Sequence, residues 1–139
     1  MNLYTPAFVR RLVLTTSALT FSTIGLLAVC APQAVAKQYG FTLDHVDAFN
    51  EFRAVYVGFW LALGATMLTA ARRVDLIVLG DLCALMLLLQ ASGRALSFVL
   101  DGYPSWPFVA AFFAELTGGA TILLMRSTEA TLAKSARAT

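Results

Sequence analysis

The sequence predicts an all-α fold, a four-transmembrane-helix bundle with both termini cytoplasmic. Three observations carry that prediction. The 139 residues are 59% hydrophobic and only 13% charged, with a mean hydropathy of +0.75, which is too apolar for a soluble domain of this length. The apolar residues fall into four runs, each long enough to cross about 30 Å of hydrocarbon as a helix. The cations gather at the ends of those runs, not along a stripe, so the charge pattern excludes a nucleic-acid footprint. The chain reads as a single integral membrane domain over residues 1–139.

The first span is predicted over Leu12–Ala31, behind a short amphipathic lead that ends in Arg10-Arg11. Its Ser and Thr hydroxyls can bond the helix's own carbonyls. A cleaved signal peptide is the competing reading, since Ala34-Val35-Ala36 fits a small-residue cleavage site. The apolar run exceeds the roughly 7–15 residues of a signal-peptide core, so a retained helix is expected. Pro32 is expected to end that helix because it has no N–H to donate. A polar loop over Gln33–Asp47 follows, and Asp47 is expected to cap the second span, Ala48–Ala71. In that span Ala54, Gly58, Ala62, Thr66 and Ala70 recur every four positions, a row that would let another helix come close.

The third span is predicted over Val74–Leu100 and carries Asp81, Gln90 and Arg94. Asp101–Pro107 holds one glycine and two prolines and predicts a tight turn. Tyr103 and Trp106 in it suit the membrane interface. The fourth span is Phe108–Met125, with Glu115 inside, and residues 127–139 form a polar tail. Charge then sets the topology. Arg10, Arg11, Arg72, Arg73, Arg126, Lys134 and Arg137, seven of the ten basic residues, would share one side, which is therefore cytoplasmic.

The polar residues inside the spans are the candidates for chemistry. A charge near the bilayer centre costs about 2.5–3.5 kcal/mol, so each must find a partner. At 1.5 Å per residue, Arg53 lies roughly 8 Å into the second span, Arg94 roughly 9 Å into the third and Glu115 roughly 10 Å into the fourth. All three depths are counted from the outer side. Glu51 and Asp101 lie above them. Gln90, Arg94, Ser97 and Asp101 share one helical face, as do Ala111, Glu115 and Gly119, and Tyr56 stands one turn below Arg53. The candidate site is therefore Asn50, Glu51, Arg53, Tyr56, Arg94, Asp101 and Glu115, with Arg94–Glu115 as its foremost ion pair. Two readings stay open: a structural network that fixes helix register, or an outward-opening site for a polar or amphipathic ligand or for protons. Asp81 stands apart, roughly 10 Å from the cytoplasmic end. It is expected to pair with Arg72 or Arg73, to carry protons, or to face a partner.

No catalytic residue, metal site or cofactor is expected. The single histidine, His45, excludes a multi-histidine metal centre or a bis-histidine haem within the chain. Cys30 and Cys83 fall in different spans at different depths, which argues against a dithiol centre. No nucleophile–base arrangement is legible.

Asn50-Glu51-Phe52-Arg53-Ala54-Val55-Tyr56, followed by Gly58, resembles the core motif of the bacterial membrane family called domain of unknown function 4345. Gly93-Arg94-Ala95-Leu96-Ser97, running into Leu100-Asp101-Gly102, resembles its second motif. Ala31-Pro32 and Glu115 are similar too, and Val57 stands where the family pattern favours glycine. The resemblance spans about residues 8–126. It implies four helices and a bacterial inner membrane, and no particular activity. Residues and resemblance together lead to a small, non-enzymatic inner-membrane protein whose polar cluster binds a ligand, lipid or partner protein. Its expected partners are membrane lipids and a second copy or another membrane protein. Alternatives are a small oligomeric transporter or proton-linked permease, or a quinone- or thiol-linked oxidoreductase.

Overall fold

The computed structural model describes residues 5–73 and 76–126. Among these the chain is all-helical: α1 (Pro6–Cys30), α2 (Pro32–Gln38), α3 (Val46–Phe52), a π-helical segment (Arg53–Phe59), α4 (Trp60–Arg72), α5 (Ile77–Leu100) and α6 (Trp106–Leu124). Four stretches are long and apolar enough to cross a membrane: Pro6–Cys30, Val46–Arg72, Ile77–Leu100 and Trp106–Leu124. The tail over residues 127–139, like positions 74 and 75, lies outside the described residues. Compactness divides the chain into one unit of Thr15–Leu68 and another of Met1–Leu14 with Thr69–Thr139.

Several boundaries differ from the sequence expectation for local reasons. α1 starts at Pro6, not Leu12, because Thr5 accepts a hydrogen bond from the Phe8 N–H at 3.3 Å and Pro6 opens the first turn. Arg10 and Arg11 are therefore helical and not a lead. Pro32 opens α2, and the break falls at Ala31, held at φ −140° and ψ 61°. A residue before proline is pushed out of the α region. α2 closes with Gly40 at φ +78°, where Phe41 N–H reaches Ala36 O at 2.9 Å and Gly40 N–H reaches Lys37 O at 3.1 Å. That glycine supplies the left-handed turn this ending needs. His45, extended at φ −127° and ψ 156°, and not Asp47, occupies the position before α3, where its carbonyl accepts the Phe49 N–H at 3.1 Å and its side chain makes no capping hydrogen bond. Asp47 lies inside the first turn, where its carboxylate faces the positive end of the helix.

In the Thr15–Leu68 unit, α1 and α4 approach through glycines. A Cβ at Gly64 would meet the Ser22 hydroxyl and stand 3.1 Å from Ala18 O, and one at Gly25 would sit 2.9 Å from Leu61 Cδ2. Contact therefore runs through Gly25 and Gly64, not through the predicted row, whose Ala54, Gly58 and Ala62 are exposed. Ala28, Val35, Ala36 and Phe52 form a buried cluster, with Tyr39 and Tyr56 packed on it. In the other unit α5 and α6 pack closely. A Cβ at Gly119 would stand 3.0 Å from Ala84 O and 2.8 Å from Leu88 Cγ. The turn between them is shorter than expected, since Trp106 and Pro107 already belong to α6 and Gly102 takes φ +92° after the last turn of α5.

Candidate functional site

The predicted site residues fall into two sets, one in each unit. Arg94, Asp101 and Glu115 belong to the α5–α6 unit, and Asn50, Glu51, Arg53 and Tyr56 to the other.

Arg94 and Glu115 form the ion pair that helical spacing predicts. Arg94 Nε donates to Glu115 Oε2 at 2.8 Å and Nη2 donates to Oε1 at 3.0 Å. The side chains retain 22% and 10% of their exposure. Two parallel, charge-assisted bonds make this a strong and directional contact. One turn further along the same α5 face, Ser97 Oγ donates to Asp101 Oδ2 at 2.9 Å at the exposed end. Regular α-helix spacing puts Arg94, Ser97 and Asp101 on that face, and Glu115 faces α6's packed side with Gly119 and Ile122.

The other set departs from a regular helix. Residues 53–59 are π-helical, and Trp60 N–H reaches back five residues to Val55 O. Four-residue spacing in an α-helix drifts by about 40°, and the wider turn takes up that drift. Phe52, Tyr56 and Trp60 consequently stay in contact, with Phe52–Tyr56 centroids 4.6 Å apart and stacked and Tyr56–Trp60 at 4.8 Å. Tyr39, Phe41 and Phe21 extend the cluster. Tyr56 thus belongs to an aromatic core and does not extend the polar face below Arg53. Arg53, Asn50 and Asp47 point the other way. With Val46 and Phe49 they border an open hollow of about 470 Å³. Arg53 lies over the Phe49 ring, its Cζ 5.3 Å from the centroid, a cation–π contact. Within its unit, among the described residues, neither Arg53 nor the exposed Glu51 makes an ion pair.

A second charge centre was not legible as such. Asp81 pairs with Arg10 and Arg126, not with Arg72 or Arg73. Arg10 Nη2 lies 3.2 Å from Oδ1 and Arg126 Nε lies 2.8 Å from Oδ2. Arg10 also donates to Ile77 O at 3.1 Å and is only 1% exposed. Gly80 makes room for it, since a Cβ there would strike the guanidinium. The matching signal was depth. With helices starting at Pro6 and Ile77, Arg10 and Asp81 each lie roughly 6 Å from their helix starts.

Among the described residues no group of three or more His, Cys, Asp or Glu side chains is placed to hold a metal ion. Cys30 and Cys83 are free thiols, one in each unit. No curated protein and no solved structure matches the chain. The stretch that does match a family runs from the residue before Arg10 to Arg126, and so contains both charge centres and the π-helical segment. Over residues 9–126 it matches domain of unknown function (DUF4345), and the chain belongs to that family.

Proposed function

We propose that this is a multi-pass protein of the bacterial inner membrane, with both termini cytoplasmic, that binds an amphipathic ligand, lipid or partner protein in the outer half of the membrane. The carrying observation is Arg53 beside an open hollow of about 470 Å³, with Asn50 and Asp47 on its border and Phe49 beneath the guanidinium. An unneutralised guanidinium in a span is costly unless an anion or water meets it. The hollow offers a polar edge for a headgroup and an apolar edge, Val46 and Phe49, for a chain or ring. Arg94 and Glu115 are already satisfied by each other, which supports a structural role for that pair. The π-helical turn supports function at the same place, because such widened turns recur at functional sites.

Protein purified in mild detergent should retain an acidic amphipathic molecule detectable by mass spectrometry after denaturation. Arg53→Gln should lose it while keeping the wild-type unfolding midpoint. Equal retention by the variant, or nothing above the detergent blank in the wild type, would remove the hollow from consideration. A second reading, a small oligomeric transporter or proton-linked permease, draws on the exposed Ala54, Gly58 and Ala62 row, a surface suited to close contact with another copy. Cysteine crosslinking at Ala62 in membranes should yield a dimer under that reading, and a strictly monomeric product ends it.

A further inference from the structure

We propose that α3 and the π-helical segment dock on a second copy of this chain, in a parallel two-fold dimer tied by two reciprocal Glu51–Arg53 ion pairs. This rests on the second reading above, contact between copies through the Ala54, Gly58 and Ala62 row, and gives that contact its direction and its charge pairing. Phe52 fixes which way the stretch faces. It is only 4% exposed and belongs to the buried cluster of its unit, so the opposite side of the helix looks outward. At about 100° per residue, Asn50 and Ala54 each lie roughly 160° around from Phe52, on that outward side. Glu51 and Arg53 each lie roughly 100° from Phe52, one on either side, and so border the outward face on its two edges. All four residues are exposed. Residues two apart on a helix do not face each other, so Glu51 and Arg53 of one chain are held apart. Among the described residues neither makes an ion pair.

Opposite charges on opposite edges of one face are self-complementary. In a two-fold contact, residue i of one copy meets j of the other, and j meets i. Two copies inserted the same way in one membrane are related by an axis along the membrane normal. That rotation sets the Glu51 edge of each copy against the Arg53 edge of the other, as edge charges pair across a parallel coiled coil. The two residues differ by only about 3 Å in depth, so both pairs close at one level. The hollow of about 470 Å³ beside Arg53 gives the incoming carboxylate room, and Asp47 stands one turn further out. Asn50 falls near the axis, where a carboxamide both donates to and accepts from its own copy. Below this level the π-helical turn shapes the face. It keeps Phe52, Tyr56 and Trp60 in line on the inward side, and by the same widening keeps Ala54, Gly58 and Ala62 in line on the outward side. A regular α-helix would carry that row around by about 40° per step. Small side chains in line let two helices approach closely, which brings the flanking charges within reach.

The test is energy transfer between donor- and acceptor-labelled full chains in liposomes. Wild type should self-associate. Glu51→Arg and Arg53→Glu each set like charges against one another at both contacts, and each should weaken self-association on the order of tenfold. Mixing the two variants restores opposite signs at both contacts and should return most of the lost affinity. A pairing within one chain would gain nothing from mixing. Gly58→Leu serves if a charge variant does not fold, because a Cβ there meets only Arg53 O, at 3.8 Å, within its own chain. Its bulk should part the copies while the unfolding midpoint stays near wild type. A monomeric wild type, a mixture that recovers nothing, or undiminished association in Gly58→Leu overturns the proposal. A monomeric wild type that still retains an acidic amphipathic molecule would remove the dimer and leave the ligand reading standing. A crosslink through Ala62→Cys with no recovery in the mixture would keep contact between copies and remove this pairing.

Discussion

Removing one member of the Arg94–Glu115 pair should destabilise the protein far more than removing both. Each single change, Arg94→Leu or Glu115→Leu, strands a charge that the native structure meets with bonds of 2.8 and 3.0 Å. Breaking a buried pair from one side costs about 3–5 kcal/mol. Arg94 keeps 22% of its exposure and Glu115 10%, so water reaches the arginine more easily than the carboxylate. Glu115 stranded by Arg94→Leu should therefore suffer towards the upper end of that range, and Arg94 stranded by Glu115→Leu should sit nearer the lower end. At roughly 2–4 °C per kcal/mol for a chain of this size, the losses are on the order of 10 °C in unfolding midpoint. The double variant leaves no unpaired charge and should recover most of the loss, with a coupling energy of about 2 kcal/mol or more. The assay is thermal unfolding in one detergent for the wild type, both singles and the double. Strictly additive losses would refute the reasoning, because they would mean that neither charge depends on the other.

Gly80→Ala should lower stability by about 1–2 kcal/mol, because the new Cβ meets the Arg10 guanidinium, with Cζ at 3.0 Å, and the crowding outweighs the gain in helix propensity. In an Arg10→Ala background the same change should become neutral or stabilising. Gly64→Ala should cost about 1–3 kcal/mol through contact with Ser22 and the Ala18 carbonyl, whereas Gly93→Ala, with nothing within 4 Å, should be neutral or gain up to about 1 kcal/mol. Unfolding midpoints check both pairs. Reporter fusions after Thr139 and at Arg73 should read cytoplasmic and one at Tyr39 periplasmic; a periplasmic carboxyl terminus would reverse the assignment of sides.

The four spans were legible because apolar length is a strong signal and needs no partner to interpret it. The Arg94–Glu115 pair was legible for a related reason. Both residues lie in unbroken α-helix, so counting from a helix end gives depth and stepping by three and four gives face. The same count failed for Asp81 because hydropathy puts the start of α1 after its arginines, whereas Thr5 and Pro6 start it earlier. Arg10 was then read as the end of a lead before the span, when it is helical and among the most buried side chains. Tyr56 was misplaced for another reason. Extrapolating an α-helix through residues 53–59 carries it to the polar side, but the π-helical turn keeps it in the aromatic stack. No proline announces that turn, and Gly58 inside it reads from sequence only as one of the small residues of a packing row. The only trace is the four-residue spacing of Phe52, Tyr56 and Trp60.

The two charge centres of the α5–α6 unit make one device. Asp81 and Arg94 lie roughly 20 Å apart along α5, and Glu115 and Arg126 roughly 17 Å apart along α6. The helices run in opposite directions, so Arg94 meets Glu115 at one level and Arg126 meets Asp81 at the other. A flexible arginine side chain takes up the difference of a few ångströms. Between the two rungs the backbones come close at Gly119 and Ala84. In lipid, apolar faces gain little by choosing one another over acyl chains, so close packing and polar ties must set register. Sliding α6 by one turn, about 5.4 Å, would part both rungs at once. Pairing the helices in the same direction would set Asp81 against Glu115 and Arg94 against Arg126. The order of signs along each helix thus favours the antiparallel pairing and opposes its principal competitor. Neither rung need contribute much net stability to do this, because each matters through the cost of the arrangements it forbids.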